Sequence, residues 1–521
     1  MAGVVNLPEQ TFKKLNTYIL PQWKACFFTA MLVGIFAHIY KITNWLPNWD
    51  SLVFRYDAQN MIGLGRWFLP VVCSVSSFYD LPFLNGFIAI LFHALGAVCI
   101  CRMFRIEKNI TAALIGAVIV TFPTVTSVMM YSYVADGYGI AFFLSALSAQ
   151  FMTAEKPKFM LAAVLIAFSA GIYQAYITVT IMLCLLFLID ELIFKKASFK
   201  AVLKKALFML LTGVLGMALY SIILKVLLSV FAVNLLDYQG VGSSLSLSNI
   251  DLMASLYVVK ETFIKCFFDV SSGVRVYVIL NTALLIFTLL YYIKGLFEFK
   301  VYKKIENLFM LLILTIFLPC GAAALAFINA GVDYHNLMLM GYAVFYLFFI
   351  LLYERSTEEN EKHRCKKCWI VLLLSLFVIF NQVLTANVSY HKAQIAYEKS
   401  YGVLVRIADR IDVAAGSENC DKILVIGALR DSDAYSANLP PEITGVTDGY
   451  IIRKDDEIVG QSVLTSALND YCGKNFAFIS GEEKKAFLQR EDVKSMGIWP
   501  EENCVQVVED TVIIKLGTEG E

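Results

Sequence analysis

A polar stretch between two apolar segments, residues 45–70, carries the side chains best suited to chemistry. It reads WLPNWDSLVFRYDAQNMIGLGRWFLP and includes two aspartates and two arginines, Asp50, Arg55, Asp57 and Arg66. A carboxylate can accept a proton from a hydroxyl group, and a guanidinium group can bind a phosphate in bidentate fashion. The tryptophans of the stretch favour the boundary between lipid and water. We therefore expect a catalytic carboxylate here, in an enzyme that handles a polar group on a lipid carrier.

Further polar residues interrupt the apolar segments. Lys225 lies in ALYSIILKVLLSVF and Asp136 in YVADGYG. Tyr173 and Gln174 lie in GIYQAY, and His335 lies in GVDYHN. Polar groups are costly in hydrocarbon, so we expect them to face a shared cavity that opens outward. The same expectation covers Thr121, Thr124, Thr126, Ser127, Thr178, Ser221, Asn381 and Gln382.

Each of these candidates also has a structural interpretation. A lysine whose chain extends to the membrane interface explains Lys225 without chemistry. A polar turn explains Asp136 or His335. Packing at a break between two helices explains Tyr173 and Gln174. The sequence leaves these alternatives open.

Composition indicates a multi-pass membrane protein. The 521 residues are 58% hydrophobic and 17% charged, and the mean hydropathy is +0.66. Soluble domains are less apolar and more charged. The formal net charge is zero, so the basic excess of nucleic-acid-binding proteins is missing and no nucleic-acid partner is expected. We expect about 11 transmembrane helices, at about residues 25–42, 82–101, 110–130, 137–153, 159–171, 172–193, 206–232, 276–293, 306–328, 337–353 and 369–387.

The distribution of basic residues predicts the orientation in the cell membrane. Residues 13–24 hold lysines just before the first span, which places the N-terminus in the cytoplasm. Loops on the opposite side, near Tyr133 and Asp333, carry no lysine or arginine. An odd number of spans then places the C-terminus outside the cytoplasm.

Two domains are expected, a transmembrane domain over residues 1–389 and a small extracytoplasmic α/β domain over residues 390–521. Strands are expected at Lys422–Gly427 and Phe476–Ser480, and a hairpin at Val505–Leu516 that turns at Asp510-Thr511. The three cysteines of this domain, at positions 420, 472 and 504, permit one disulfide that the sequence does not assign.

Two long external loops are each expected to contain a helix. In the first loop, Ser51–Leu64 has the pattern of an amphipathic helix at the membrane interface. The second loop, about residues 233–275, has a Gly/Ser-rich turn, and Ser248 is an N-cap candidate for the amphipathic run Ile250–Phe268.

Three motifs carry a resemblance to a known family. GIYQAY at 171–176, WDS at 49–51 and GRWFLP at 65–70 resemble the GtrII-type membrane glucosyltransferase family, within the GT-C superfamily. The last residues of the chain, IWPEENCVQVVEDTVIIKL, also resemble the family's tail. The resemblance implies a GT-C-like transmembrane enzyme. It would transfer a hexose, with glucose as the expected sugar, from a polyprenyl-phosphate carrier to a cell-surface or cell-wall glycan on the external face.

The resemblance also implies which carboxylate acts. Related transferases place an acidic residue in the first external loop, and the matching position here is Asp50, which would accept the acceptor's proton in an inverting transfer. As a structural alternative, Asp50 caps the helix that follows. The resemblance implies two adjacent acids at this point in many relatives, whereas this chain has Asp50-Ser51. The second carboxylate is therefore open between Asp57 and Asp136.

Further roles follow from the same chemistry. The leaving phosphate gains negative charge in the transition state and needs fixed cations, for which Arg55, Arg66 and Lys225 are the candidates. Tyr173 and Gln174 would contact the sugar. His335 would contact the phosphate or the acceptor. No bound cofactor and no metal ligands are expected, although the sequence leaves a divalent cation open.

Two other functions fit part of the pattern. A flippase or transporter of lipid-linked sugars would show inverted repeats and polar groups in both halves of the membrane. A glycan polymerase or ligase would act on longer lipid-linked chains, and the sequence does not separate it from a transferase of single sugars. The identity of the sugar and of the acceptor glycan is not fixed either.

Overall fold

The computed structural model describes residues 7–55, 58, 60–236, 251–274, 276–355, 361–416, 420–429 and 457–518. Asp57, the Gly/Ser-rich turn of the second loop and the N-cap candidate Ser248 lie outside these ranges. The first half of the fold is helical throughout. Its helices, in chain order, are α1 (Pro8–Tyr18), α2 (Pro21–Thr43), α3 (Trp49–Val53), α4 (Leu69–Cys73), α5 (Pro82–Met103), α6 (Asn109–Thr121), α7 (Pro123–Met130), α8 (Ser132–Thr153), α9 (Phe159–Ile172), α10 (Ile177–Ile193) and α11 (Phe199–Val230).

The helical bundle continues to the start of the C-terminal domain. Among the described residues, seven helices are each long and apolar enough to cross a membrane, and α6 with α7 forms an eighth if the bent pair is one span. Each of the expected spans falls on a helix or on this bent pair, but α8 is not among the seven, and the apolar helices Phe159–Ile172 and Met340–Glu354 are shorter. The count of 11 spans therefore stays a prediction. The remaining helices are α12 (Leu252–Phe267), α13 (Tyr277–Glu298), α14 (Ile305–Ala322), α15 (Ala343–Glu354) and α16 (Glu361–Ala415).

Proline causes the bend between α6 and α7. The ring of Pro123 disfavours helical geometry in the preceding residue, and Phe122 accordingly has an extended ψ of 137°. Pro123 itself suits the first turn of α7, where its missing N–H group is not needed. The two helices therefore meet at 43°.

Small residues let the central helices pack closely. Helix α5 packs along α2 and α8. A side chain at Gly139 of α8 would come within 2.8 Å of the Cα atom of Ala89 in α5. Because lipid is as apolar as these side chains, burying apolar surface between helices gains little free energy in a membrane. Such close backbone contact is therefore a main source of helix association.

The first loop differs from the helix expected over Ser51–Leu64. The helix α3 ends at Val53, and Phe54 and Arg55 form a bend and a turn. Of the residues described between 55 and 64, only Ile62–Leu64 is again helical, as a short 3-10 turn. Asn48 caps α3, because its side-chain oxygen accepts a hydrogen bond from the Ser51 N–H group at 2.8 Å. The interpretation of Asp50 as the N-cap is therefore wrong.

Helix α16 connects the membrane bundle to the C-terminal domain without interruption. It has 55 residues and is therefore roughly 80 Å long. Buried residues up to Ala393 pack in the bundle core, and those from Val403 onward pack in the core of the C-terminal domain. The expected boundary after residue 389 thus falls inside a continuous helix, close to the change of core.

The C-terminal domain has a mixed sheet of β1 (Lys422–Ile426), β2 (Ala477–Phe478), β3 (Val505–Val508) and β4 (Thr511–Lys515) in the order β2-β1-β4-β3. Strand β1 is parallel to both neighbours, and β3 and β4 form the expected hairpin, with its turn one residue earlier than expected. The three cysteines of the domain are free thiols. Its helices after β1 are α17 (Glu457–Cys472), α18 (Gly481–Gln489) and α19 (Glu491–Lys494).

Ion pairs join the helices at the bundle end opposite to this domain. The Arg355 guanidinium donates to the Asp190 carboxylate at 2.8 and 3.2 Å and to the Phe104 carbonyl at 2.5 Å. Lys195 lies 3.6 Å from the same carboxylate. Because Asp190 is almost fully buried, these contacts compensate a charge that would otherwise be costly.

Candidate functional site

A cavity of about 910 Å³ lies between α10, α11, α14 and the loops at the end of the bundle that carries the C-terminal domain. Most of its wall is aliphatic. Along α11 the lining residues run from Ala206 to Leu228, a length of roughly 33 Å. Five of the predicted site residues line it, namely Arg66, Tyr173, Gln174, Lys225 and His335.

Aromatic rings position Arg66 at the polar end of the cavity. Its guanidinium group lies over the Tyr173 ring, 4.8 Å from the ring centre. Tyr173 in turn stacks on Tyr138 with ring centres 4.8 Å apart. A cation over an aromatic ring is attracted by the ring, and a guanidinium group can bind a phosphate in bidentate fashion. This arrangement suits a phosphate that enters the cavity.

Gln174 holds the first loop in place. Its amide Nε2 donates to the Leu64 carbonyl at 2.9 Å and to the Tyr220 hydroxyl at 3.1 Å. The Tyr220 hydroxyl donates to the Gly65 carbonyl, also at 3.1 Å. Gly65 has a φ of +75°, a conformation that suits glycine. Tyr220, which was not predicted from the sequence, also lines the cavity and fixes the loop from α11.

Lys225 lies on α11, near the polar end of the cavity. Ser221, one turn earlier, also lines the cavity, while the lining residues nearer the start of α11 are apolar. The lysine is exposed on the open side of the cavity. A bound molecule would therefore meet a cation at one end and an aliphatic wall along the rest of its length.

His335 contributes a neutral imidazole. Burial lowers its pKa to about 4, and the nearby cations Arg66 and Lys265 act in the same direction, while Asp333 opposes them. Lys265 itself donates to the Tyr334 carbonyl at 2.9 Å. At neutral pH the ring can accept or donate a hydrogen bond without adding charge.

The residues that form this site lie within a stretch of the chain that matches a known protein family. The family described as Glucosyl transferase GtrII matches residues 39–348, more than half of the chain. The chain belongs to the GtrII glucosyl transferase family. Among curated proteins nothing matches, and no solved structure matches either. The resemblance inferred from the motifs is confirmed, and the assignment supports a glucosyltransferase with a sugar donor and an acceptor.

The matched region of this GtrII protein contains the first loop and the whole cavity. It ends at residue 348, before α16 and the C-terminal domain. The resemblance of the chain's last residues to the family's tail therefore stays a prediction. The match favours sugar transfer over the transport alternative.

Three predicted site residues do not line the cavity. Asp136 is buried, accepts hydrogen bonds from the Ser76 hydroxyl at 2.7 Å and the Gly137 N–H group at 2.9 Å, and so has a structural environment. Arg55 pairs with Asp470 of the C-terminal domain at 3.1 Å. Asp50 lies half-buried in the first turn of α3.

Asp50 is nevertheless close to the polar end of the cavity. Both its carboxylate and the Arg66 guanidinium lie within electrostatic reach of the buried Tyr133 hydroxyl. Phe54, which ends α3, stacks on the Tyr133 ring with centres 5.7 Å apart. Tyr133 and Phe54 therefore lie near Asp50 at this end of the bundle. Asp57 lies outside the described residues.

Most other polar residues of the spans do not face the cavity. Ser221 lines it, but the Thr121 hydroxyl donates to Gln382 at 2.9 Å and the Asn381 amide donates to the Val274 carbonyl at 3.1 Å. The Thr178 hydroxyl donates to the Ala175 carbonyl at 2.7 Å. Thr121, Thr178 and Asn381 each have a partner inside the helix bundle, so the expectation of one shared cavity was wrong for them. The hydroxyl groups of Thr124, Thr126 and Ser127 do not line the cavity either, and they are buried without a hydrogen bond among the described residues.

Sequence reasoning also missed two buried residues of opposite charge below the first loop. Lys41 at the end of α2 is fully buried, and Asp80 just before α5 is 6% exposed. The Lys41 amino group and the Asp80 carboxylate make no hydrogen bond among the described residues. Each of the two charges acts electrostatically on the other, and burial raises the pKa of Asp80 to about 6. A lysine within the apolar run HIYKIT was the available signal. Within the described ranges, no group of three or more His, Cys, Asp or Glu residues is arranged to hold a metal ion.

Proposed function

We propose that this GtrII protein transfers a hexose, with glucose as the expected sugar, from a polyprenyl-phosphate carrier to a hydroxyl group of a cell-surface or cell-wall glycan. One observation carries the proposal. The cavity combines a cationic and aromatic end, with Arg66, Tyr173 and Lys225, and an aliphatic wall along α11. Those are the two surfaces that a phosphate-linked lipid needs.

The carrier phosphate would bind between Arg66 and Lys225. Both cations line the cavity, and on α11 the lining residues before Tyr220 are apolar. Charge-assisted hydrogen bonds to phosphate are about twice as strong as neutral ones. The hydrocarbon chain of the carrier would follow α11 toward Ala206. Tyr173 and the Gln174 carbonyl oxygen would contact the sugar, and His335 would hydrogen-bond to the sugar or the phosphate without adding charge.

In the transfer step, the acceptor oxygen attacks the anomeric carbon from the face opposite to the phosphate. A carbon–oxygen bond to the acceptor forms while the bond from carbon to the phosphate oxygen breaks, which inverts the configuration. The acceptor proton moves to the Asp50 carboxylate, and the electron pair of the broken bond leaves with the phosphate. Arg66 and Lys225 meet the charge that develops on that phosphate.

The roles of the remaining candidates are narrower. The two oxygens of Asp136 are engaged by Ser76 and Gly137, which favours a structural role over catalysis. Arg55 is paired with Asp470 and lies away from the cavity lining, so we propose that it does not bind the donor phosphate. Asp57 stays the alternative second carboxylate. A divalent cation is not required by this mechanism.

The orientation is also part of the proposal. The end of the bundle with Asp190, Lys195 and Arg355 would face the cytoplasm, and the end with the first loop and the C-terminal domain would face outward. A cytoplasmic label on Cys472 in intact cells would contradict this orientation. The accessible thiol lies in α17, in the C-terminal domain.

The decisive experiment uses the purified full chain in lipid nanodiscs with polyprenyl-phosphoglucose and envelope glycan as acceptor. We expect Asp50→Asn to lower kcat by at least 100-fold with an unchanged donor Kd, because the donor site lacks Asp50. Asp136→Asn serves as the matched carboxylate control, with kcat expected within about 3-fold after correction for folded protein. Equal activity of wild type and Asp50→Asn would remove Asp50 from the mechanism. Movement of the lipid donor across the membrane without glucosyl transfer would instead support a transporter.

A further inference from the structure

We propose that a partly exposed aromatic patch at the junction of the first loop and the C-terminal domain binds the acceptor as an uncharged, hydroxyl-rich saccharide. The patch consists of Trp45, Tyr397, Tyr401 and Tyr471, with the ion pair of Arg55 and Asp470 at its edge. The inference rests on the proposed function, since it gives the acceptor of that transfer a binding site. The cavity already described would hold the donor only.

Four rings from three segments of the chain form one continuous surface. Tyr397 and Tyr401 are one turn apart on α16, with ring planes 12° apart and centres separated by 6.2 Å. Tyr471, at the end of α17, meets both rings edge-on at 6.3 and 6.0 Å. The Trp45 Nε1–H group donates to the Tyr471 hydroxyl at 2.6 Å.

Polar groups at the edge of the patch can serve sugar hydroxyls. The Arg55 guanidinium lies 4.9 Å from the Trp45 ring centre and 3.1 Å from the Asp470 carboxylate. The side chains of this pair are 26% and 28% exposed. Tyrosine and tryptophan rings offer apolar faces with polar tips, and a guanidinium next to a carboxylate supplies both donors and acceptors. Because the two charges cancel, the patch favours a ligand without net charge.

The location of the patch connects it to the transfer step. Trp49 and Leu52 of α3 pack into the core of the C-terminal domain, on either side of Asp50. Trp45 and Arg55 of the patch therefore belong to the same short loop as Asp50. We expect a saccharide on the patch to present a hydroxyl group to the Asp50 carboxylate.

Membrane anchoring does not explain these aromatic residues. The expected transmembrane segment of α16 ends at residue 387, and Tyr397 and Tyr401 lie 10 and 14 residues further along the helix. Those separations are roughly 15 and 21 Å, whereas the headgroup region on one side of a bilayer is only about 5–8 Å thick. Tyr401 is 40% exposed, well beyond the zone in which interfacial aromatics are useful.

Two assays on the full chain in nanodiscs test the patch. In the first, acceptor KM is measured at saturating donor for wild type, Tyr401→Ala and Tyr401→Phe. We expect an increase of about 10-fold for Tyr401→Ala and less than 2-fold for Tyr401→Phe, which keeps the ring. Donor KM and the melting temperature should not change. Tyr302→Ala, at a tyrosine with 48% exposure at the opposite end of the bundle, is the matched control and should behave as wild type.

The second assay measures binding without turnover. Chitotetraose, maltotetraose and a rhamnose tetrasaccharide are each tested by saturation-transfer NMR. We expect at least one to bind to wild type and to lose most of its signal with Tyr401→Ala. The patch is overturned if acceptor KM is unchanged in Tyr401→Ala, or if no tetrasaccharide binds in a manner that depends on Tyr401. Absence of donor binding and of transfer in wild type would instead overturn the proposed function, and the NMR assay alone then decides the patch.

Discussion

Gly213 offers the most selective way to test whether the aliphatic groove holds the carrier chain. It lines the cavity on α11, and a Cβ atom built there meets nothing within 4 Å. Replacing it with leucine would therefore insert a side chain into the groove without a clash. Leucine is also a better helix former than glycine by roughly 0.5–1 kcal/mol, so the folded protein should be as stable as wild type or slightly more stable.

The expected rise in the KM of a long-chain donor follows from the position of the inserted side chain. Gly213 lies 12 residues from Lys225, so an isoprenoid chain bound from the phosphate site would meet it after roughly 18 Å. Lipid around the protein is as apolar as the groove, so the cost is steric and not hydrophobic. Overpacking typically costs about 1–3 kcal/mol. Gly213→Leu should therefore raise the KM of a long-chain donor by roughly 5- to 150-fold.

Two controls separate groove filling from a general defect. A donor on a two-isoprene carrier is too short to reach Gly213, and its KM should be the same for wild type and variant. Gly216→Leu changes the same helix, but its side chain would come within 2.8 Å of Ile166 and 2.9 Å of the Ala163 carbonyl, so it should destabilise the protein. An unchanged long-chain KM in a well-folded Gly213→Leu protein would refute the groove as the carrier site.

Three further predictions concern charge and pH. Asp80→Leu should lower the melting temperature in detergent, because it removes the negative charge whose field partly offsets the buried Lys41 charge, and adding Lys41→Met should restore most of that loss. A double variant as unstable as the single one would disprove that coupling. Arg355→Ala should cost about 3 kcal/mol by the same measurement, since it uncovers the buried Asp190 carboxylate. The depressed pKa of His335 means that only the unfolded state takes up its proton near pH 6.5. Stability is therefore complete above pH 6.5 and falls by at most about 3 kcal/mol as the pH drops toward 4. His335→Asn should remove that part of the pH dependence in thermal melts.

Local patterns in the sequence predicted the elements well where one physical signal dominates. Long apolar runs marked the helices, since crossing lipid requires both length and apolar side chains. The alternation in VQVVEDTVIIKL marked the β3–β4 hairpin. The boundary after residue 389 was drawn where the composition changes, but a helix can continue through such a change. The change in composition along α16 marks where its surroundings change from the membrane bundle to the C-terminal domain. It does not mark where the helix ends.

Contacts between residues far apart in the chain could not be predicted from the sequence. Gln174 was expected to contact sugar, yet its amide nitrogen bonds to the Leu64 carbonyl and to Tyr220. Nothing in GIYQAY indicates that a loop more than one hundred residues earlier needs that donor. Arg55 was assigned to the phosphate because it lies in the same stretch as Arg66. The turn after α3 instead directs it to Asp470, which a single sequence cannot reveal.

Arg55 and Arg66 connect the first loop to two different parts of the protein. Arg66 points to the donor cavity and is held by rings of the membrane bundle, whereas Arg55 is held by the C-terminal domain. Asp50 lies before both, on a helix whose neighbours Trp49 and Leu52 pack into that domain. Small movements of the C-terminal domain would therefore move the proposed base relative to the donor phosphate. Because positioning errors of about 1 Å can cost roughly 100-fold in rate, the contacts between this domain and the loop should affect kcat even though they lie outside the cavity.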